Sequence, residues 1–494
     1  MKIGMKKIMM AIMLCAMVVC AYADKKSDAL FEAVKNNDVA KVRRLVKKAD
    51  VNAKNNGGWT ALMYATADVA KVLIEAGANV NAKDKDDNTA LMWVARKNAA
   101  DVAKVLIDAG ADVNVRDKDG KTALRYAAEK NAVDAVKALV DAGADVNARD
   151  EAGYTVLMWA ANNNAADVAK ILLETDAEMK DSDGWTALMN AAAHNSKDVA
   201  KLLIEFGTDV NARANPYDRT ALMIAAWNNA TDVAKLLIGA GADVNAMDNR
   251  GDTVLMYMVL AIDDGKVATG VAKLLLAAGA DVNARKSNRN DSWNTLILAA
   301  SREKAADVVK VLIEAGADVN ATYAYAGYTA LMEASRTNAV DVVKALLAAG
   351  ADVNAKTKDG ETALMRTTLF NAADAAKALI EAGADVNAKD KNGKTALHHT
   401  CEDIMRYAAN VAKVLIESGA GVNLNAKDND GRTALMEASR NHKVSVVKML
   451  IEAGANVNAK DNDGNTALSY ATEKKDVTDT TDVVELLKAA GARL

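Results

Sequence analysis

Apolar residues recur along the chain in two alternating stripes separated by polar excursions, and residues 89–121 show the pattern cleanly. Thr89 is a hydroxyl residue suited to capping, and the Ala and Leu that follow it at helical spacing predict a short helix to about Arg96. Asn98 stands where a chain leaving a helix favours a left-handed residue. From Asp101 the apolar positions Val102, Val105, Leu106 and Ala109 fall at i, i+3, i+4 and i+7, which predicts a second, amphipathic helix closed by Gly110. The polar stretch that follows, with Asp117 and Gly120, predicts an extended finger with a turn.

This unit repeats. Thirteen threonines open its copies, from Thr60, Thr89 and Thr122 through Thr253 and Thr295 to Thr433 and Thr466, with a modal spacing of 33 residues. A fixed period lets one elongated domain grow without enlarging a central core, so a single domain is expected over residues 24–494. Residues 25–56 lack the Thr-x-Leu start and the exit Gly and carry Lys41, Arg43, Arg44, Lys47 and Lys48 on the second helix, which marks an amino-terminal cap with a polar outer face. Residues 57–460 form the array and 461–494 the carboxyl-terminal cap. Insertions fall around Asp263 to Gly270, Lys286 to Asp291 and Glu402 to Ala408, where repeats keep their loops.

The 33-residue period, the Thr-x-Leu helix start and the Gly-Ala-Asp-Val-Asn helix exit resemble the ankyrin repeat over nearly the whole chain. The resemblance implies an all-α solenoid of helix-turn-helix units with hairpin-like fingers, about fourteen units including caps. Ankyrin units carry Thr-Pro-Leu-His, and this chain departs from that pattern. An apolar residue replaces Pro at every anchor, and Met replaces His in nine of thirteen units, among them Met63, Met92, Met158 and Met436. That loss is expected to remove a pre-set first turn and a polar tie, with Met as an adaptable apolar substitute.

Residues 1–23 read differently. Lys2, Lys6 and Lys7 precede an apolar run that ends in Ala21, Tyr22 and Ala23, the outline of a bacterial secretory signal peptide cleaved before Asp24. Periplasmic or secreted placement follows as an expectation. A lipoprotein anchored at Cys20 is the alternative, disfavoured by the bulk of Val19. No later stretch approaches the roughly 20 apolar residues of a membrane span. Removing three lysines leaves 59 basic against 66 acidic residues, a formal charge of −7, so the basic footprint of a nucleic-acid binder is missing. Cys401 is then the single cysteine, and no intramolecular disulfide can form.

Equivalent positions of the thirteen units serve as comparisons of one another. The residue one after each Thr is apolar throughout and the residue two after is Leu or, once, Ile297, so both are expected in the core. The residue just before Thr and the residue four after accept Trp, Tyr or a full charge, including Glu333, Arg366 and Glu437, and are therefore expected at the surface. In the architecture the resemblance implies, first helices and fingertips line a concave partner-binding face. Trp59, Tyr64, Trp93, Tyr126, Tyr154, Trp159, Trp185, Trp227, Tyr257 and Trp293 fall there, and exposed aromatics bordered by charge suit a protein interface. The bland alternative is packing between neighbouring fingers.

Catalytic signatures are sparse. His398, Cys401 and Glu402 share a helix face as metal ligands sometimes do, but His398 occupies the register of the structural ankyrin His. The Asp117 to Gly120, Asp428 to Gly431 and Asp461 to Gly464 runs resemble a calcium loop yet lack its third spaced acid and its twelfth-position Glu. No cofactor, metal or catalytic residue is assigned. The reading is a non-catalytic, exported scaffold for a protein partner of unknown identity. An enzyme with its site on the Asp263 to Gly270 insertion, or small-ligand or metal binding near His398, stays open.

Overall fold

The computed structural model describes residues 26–493 except 176, 178, 265–268, 287–292, 324, 403–408 and 474–479. Residues 1–23, for which a leader is expected, and much of the three insertions lie outside the described residues. Chain contacts define two compact units, one running to Ala225 with Asp232–Ala242, the other comprising Ala226–Thr231 and the chain from Asp243 onward. Both are built from the same helix pairs. Among the described residues there is no strand, only isolated antiparallel bridges at the finger bases, such as Lys54 with Thr60 and Lys427 with Thr433. No helix of these residues is long and apolar enough to cross a membrane.

In the unit of residues 89–121 the first helix is Ala90–Arg96 and the second Ala100–Asp108. Thr89 caps the first, its hydroxyl accepting the Met92 N–H at 3.4 Å. Asn98 adopts φ 53° and makes the reversal. The second helix ends in a Schellman pair, Ala111 N–H to Leu106 carbonyl at 3.0 Å and Gly110 N–H to Ile107 carbonyl at 2.9 Å. Gly110 sits at φ 84°, a conformation in which a Cβ is strained even with open space around it. The buried stripe of the second helix is Val102, Ala103 and Leu106, while Val105 and Ala109 are only half-buried. The stripe differs from the one the periodicity predicts in that Ala103 takes part in it and Ala109 lies beyond the helix end at Asp108.

Two details correct the expected register. In the unit around residue 295 the cap is Asn294, whose side chain accepts the Ile297 N–H at 2.8 Å, and Thr295 is the first helical residue, fully buried. Asn caps as well as Thr, so the motif slides by one and Leu296 takes the usual Leu position. The polar tie also survives the loss of His. Met63, Met158, Met189, Met332, Met365 and Met436 each place the thioether sulfur 3.4–3.5 Å from the N–H of their own capping Thr. His398 does the same for Thr395 with Nδ1 at 3.2 Å. Methionine sulfur is a weak acceptor, but it is apolar enough to be buried and reaches the same donor.

Neighbouring repeats are joined by the Asn of the Val-Asn exit. Asn81 donates Nδ2 to the Gly110 carbonyl at 3.3 Å and accepts the Asp112 N–H at 2.8 Å. The same pair runs from Asn114 to Gly143 and Asp145 in this unit. In the other unit it runs from Asn320 to Gly350 and Asp352 and from Asn354 to Gly383 and Asp385. The reversal Asn adds a second bridge: Asn98 Oδ1 accepts the Ala135 N–H at 3.2 Å, so the next repeat's second helix, which starts at an Ala without a capping side chain, is capped from outside. Asn81→Ala removes two inter-repeat hydrogen bonds at an exposed site, so a loss of about 1–2 kcal/mol is expected. Urea denaturation of the full chain checks this, with exposed Asn56→Ala as a control that leaves the midpoint unchanged; equal midpoints for the two variants would contradict the bridge.

Candidate functional site

Most of the described fingers are closed by one carboxylate. Asp84 Oδ1 accepts the N–H groups of Asp86 and Asn88, both at 2.9 Å, which fixes the turn. Its other oxygen accepts from a side chain nine residues later on the first helix, the Trp93 indole at 3.2 Å. The same geometry places Trp159 Nε1 2.8 Å from Asp150 Oδ2 and ties Tyr126 to Asp117 in the first unit. In the second it ties Tyr257 to Asp248 at 2.9 Å and Tyr470 to Asp461 at 2.6 Å. Asn55 takes the carboxylate's place opposite Tyr64, donating Nδ2 to the phenol oxygen at 3.2 Å. Both oxygens of Asp117 and Asp461 are thereby engaged within the repeat, which explains the finger runs without an ion.

These ties correct the expected exposure of the fourth position. Tyr257 is 1% exposed and Tyr126 7%, because their hydroxyls point inward to the finger. Charge at this position is buried too, Glu333 at 4% and Glu437 at 5%, since each is paired: Glu333 with Arg336 at 3.0 Å and Glu437 with Arg432 at 3.3 Å. Variation among repeats therefore reports how the polar tip is satisfied as well as how wet the site is. Trp59, Tyr64, Trp93, Tyr154, Trp159, Trp185, Trp227 and Trp293 are half-buried, with the Trp93 and Trp159 tips tied and part of each ring open.

The structure brings some of these rings together. In the first unit Trp59 lies 4.1 Å from Trp93 and 5.0 Å from Tyr64, centroid to centroid, and Tyr154 lies 5.7 Å from Trp159. In the second, Trp227 meets Tyr257 edge-on at 6.1 Å and Trp293 lies 5.3 Å from Tyr323. Guanidinium groups, which the sequence reading missed, join the stacks. Arg96 sits 4.4 Å from the Trp93 ring and 3.7 Å from Tyr126; Arg125 sits 3.8 Å from Trp159. Such contacts add about 0.5–2 kcal/mol each when partly desolvated. One signal was available: Arg125 stands where nine other units carry Met, an outlier in an otherwise apolar position.

The His398 region resolves into two separate roles. His398 is 1% exposed, with Nδ1 engaged by Thr395 and Nε2 3.1 Å from the Arg432 carbonyl. His399 is the fourth-position residue of its repeat and lies between Asp390 at 3.0 Å and Glu402 at 3.5 Å, with Lys394 2.8 Å from Glu402. Cys401 is buried and its thiol, pushed up to about 12 by burial, donates to the Leu397 carbonyl at 3.3 Å. Among the described residues no group of three or more His, Cys, Asp or Glu side chains is arranged to hold a metal ion. The Asp263 to Gly270 insertion, where an enzymatic site was considered, lies in part outside the described residues.

Burial disfavours charge on His399, but its bonds to Asp390 and Glu402 outweigh burial and lift its pKa to about 9. A raised folded-state value means the tie stabilises fully below about pH 6.5 and is lost as pH climbs through about 9. The urea midpoint of the wild type is therefore expected to fall between pH 6.5 and pH 9.5 more steeply than that of His399→Gln; parallel curves would contradict the charged latch.

Comparison with known proteins agrees with this architecture. The family described as ankyrin repeats (3 copies) matches residues 8–84, 67–150, 157–248, 207–286, 255–357, 349–426 and 404–494. The chain is 42% identical over 83 residues to the mitochondrial disaggregase of Homo sapiens, which is 15% of this chain and 12% of that protein. It is 44% identical over 77 residues to the mitochondrial disaggregase of Bos taurus, 14% of this chain and 11% of that protein. The chain thus spans about a tenth of the length of these relatives. Repeats from end to end, matched by one family over nearly the whole sequence, place the chain in the ankyrin-repeat family, whose repeats indicate a protein–protein interaction scaffold.

Proposed function

We propose that the protein is a non-catalytic scaffold, exported from a bacterial cell by the 1–23 leader, that binds a protein partner on the edge formed by its first helices and fingers. The observation that carries this reading is the half-open ring surface of Trp59, Trp93 and Trp159 in the first unit. With the indoles of Trp93 and Trp159 hydrogen-bonded to Asp84 and Asp150, these rings are held before any partner arrives. Ordering a large side chain on binding costs about 0.5–1.5 kcal/mol, and a ring already fixed avoids most of it. Buried Tyr126 lies beside this surface under the Arg96 guanidinium. Trp227 and Trp293 are likewise half-buried in the second unit.

The test uses affinity capture from the native extracytoplasmic fraction with the full mature chain. Trp93→His with Trp159→His removes ring area while keeping a donor for the finger carboxylate, as His399 does opposite Asp390. Truncating two interface anchors costs about 2 kcal/mol or more apiece, so recovery of the partner is expected to drop at least tenfold with the fold intact by circular dichroism. Equal recovery would reject the face. Amino-terminal sequencing of the natural protein tests export separately: a start at Asp24 supports it, and a retained leader rejects it.

A further inference from the structure

Within the first unit the aromatic edge opens into a groove of about 670 Å³ lined by Trp59, Trp93, Arg96, Arg125, Tyr126 and their charged neighbours. Five cationic and four carboxylate side chains line it, leaving a net charge of +1. Most of these charges are spent. Asp117 serves the finger and Tyr126, Asp119 pairs with Lys121 at 2.8 Å, and Glu129 is held by Arg125 and by Lys130 at 3.0 Å. Lys118 donates to the Lys85 carbonyl. Arg96 is different. It pairs with no carboxylate among the described residues; its Nη2 is engaged by Asn88 Oδ1 at 3.0 Å and the guanidinium also acts on the Tyr126 hydroxyl.

Arg96 is also immobilised. Its guanidinium lies between the Trp93 and Tyr126 rings, 4.4 Å and 3.7 Å from their centroids. Asn88 in turn is held by Asp84, the same carboxylate that fixes Trp93. A guanidinium has five N–H donors in a rigid fork matched to a carboxylate, and here the fork is oriented before binding. Beside it, Arg125 is 5% exposed and already committed, its Nε 3.9 Å from the Asp150 carboxylate and its Nη1 on Glu129, which leaves Arg96 as the guanidinium open to a ligand.

We infer that this groove binds an acidic side chain of an extended peptide segment, with Arg96 as the carboxylate fork and Trp59 as the seat for an apolar neighbour. The inference rests on the scaffold reading and names the partner chemistry for it. A net charge of +1 suits a monoanion, and the Asp86 carboxylate on the same wall, paired with no cation among the described residues, repels a dianionic phosphate more than a monoanion. The spacing follows from the stack. Trp59 to Trp93 is 4.1 Å and Trp93 to Arg96 4.4 Å, so the guanidinium lies no more than about 8.5 Å from the Trp59 ring. In an extended peptide, side chains two residues apart share a face and stand roughly 6.8 Å apart. The segment recognised is therefore an apolar residue and a Glu or Asp separated by one residue.

The experiment titrates the full mature chain with the peptide acetyl-Gly-Leu-Thr-Glu-Gly-amide, followed by tryptophan fluorescence at 50 mM salt. Counterparts carry Gln or phosphoserine in place of Glu. The Glu peptide is expected to bind saturably, at least tenfold tighter than the Gln peptide and tighter than the phosphoserine peptide. Arg96→Gln weakens the Glu peptide at least tenfold, while Arg96→Lys, which keeps the charge but not the fork, weakens it several-fold. No saturable binding of the Glu peptide, equal affinity for Glu and Gln, tighter binding of phosphoserine, or an unaffected Arg96→Gln variant overturns the inference. Partner capture that depends on Trp93 and Trp159 yet is unchanged in Arg96→Gln overturns it too, while leaving the scaffold reading intact.

Discussion

A pair of helices seven and nine residues long cannot bury its own apolar face, and everything else in this chain answers that constraint. Leu91, Met92, Val102 and Leu106 reach full or nearly full burial only because equivalent residues of the adjoining repeats cover them. The polar backbone is completed by the neighbour as well. Second helices whose cap positions are Ala132 and Ala372 have no capping side chain of their own and take a cap from Asn98 or Asn338 of the preceding repeat. Stacking thus supplies both the apolar contact and the missing hydrogen-bond acceptors.

With the core settled between repeats, the position four after the capping residue is left at the boundary with solvent, and the finger carboxylate decides what stands there. Any side chain that can donate from its tip fits: an indole in Trp93, a phenol in Tyr470, an imidazole in His399. Where an acid stands instead, as at Glu437 opposite Asp428, Arg432 crosses over to both Glu437 and Tyr470. One structural requirement therefore yields different edges along the chain. The first unit carries aromatic rings interleaved with guanidiniums, and the repeats from Thr329 onward carry more paired charge.

The architecture was legible because repetition multiplies each signal: Thr89, Asn98 and Gly110 each do what their residue type is suited for, in nearly every copy. The failures have physical causes. Thr295 looked like an anchor because Asn294, an equally good cap, precedes it. Methionine looked like the loss of a polar tie because its weak acceptor capacity is easy to overlook. Tyr257 and Glu333 looked exposed because a position tolerant of ring or charge is normally wet, and the partners that make them buriable, Asp248 nine residues before and Arg336 three residues after, become visible only as distances. Arg96 was passed over because a lone arginine at a helix end has many solvated precedents.

The account turns on aromatic side chains that are anchored at their polar tips while their faces stay partly open, and the direct measurement is hydrogen exchange of the indole N–H groups in protein labelled with nitrogen-15 tryptophan. The account predicts that the Trp93 and Trp159 indole protons exchange far more slowly than solvent-exposed indole while both rings remain quenchable by acrylamide. Rapid exchange of either proton, or rings wholly shielded from the quencher, would contradict it.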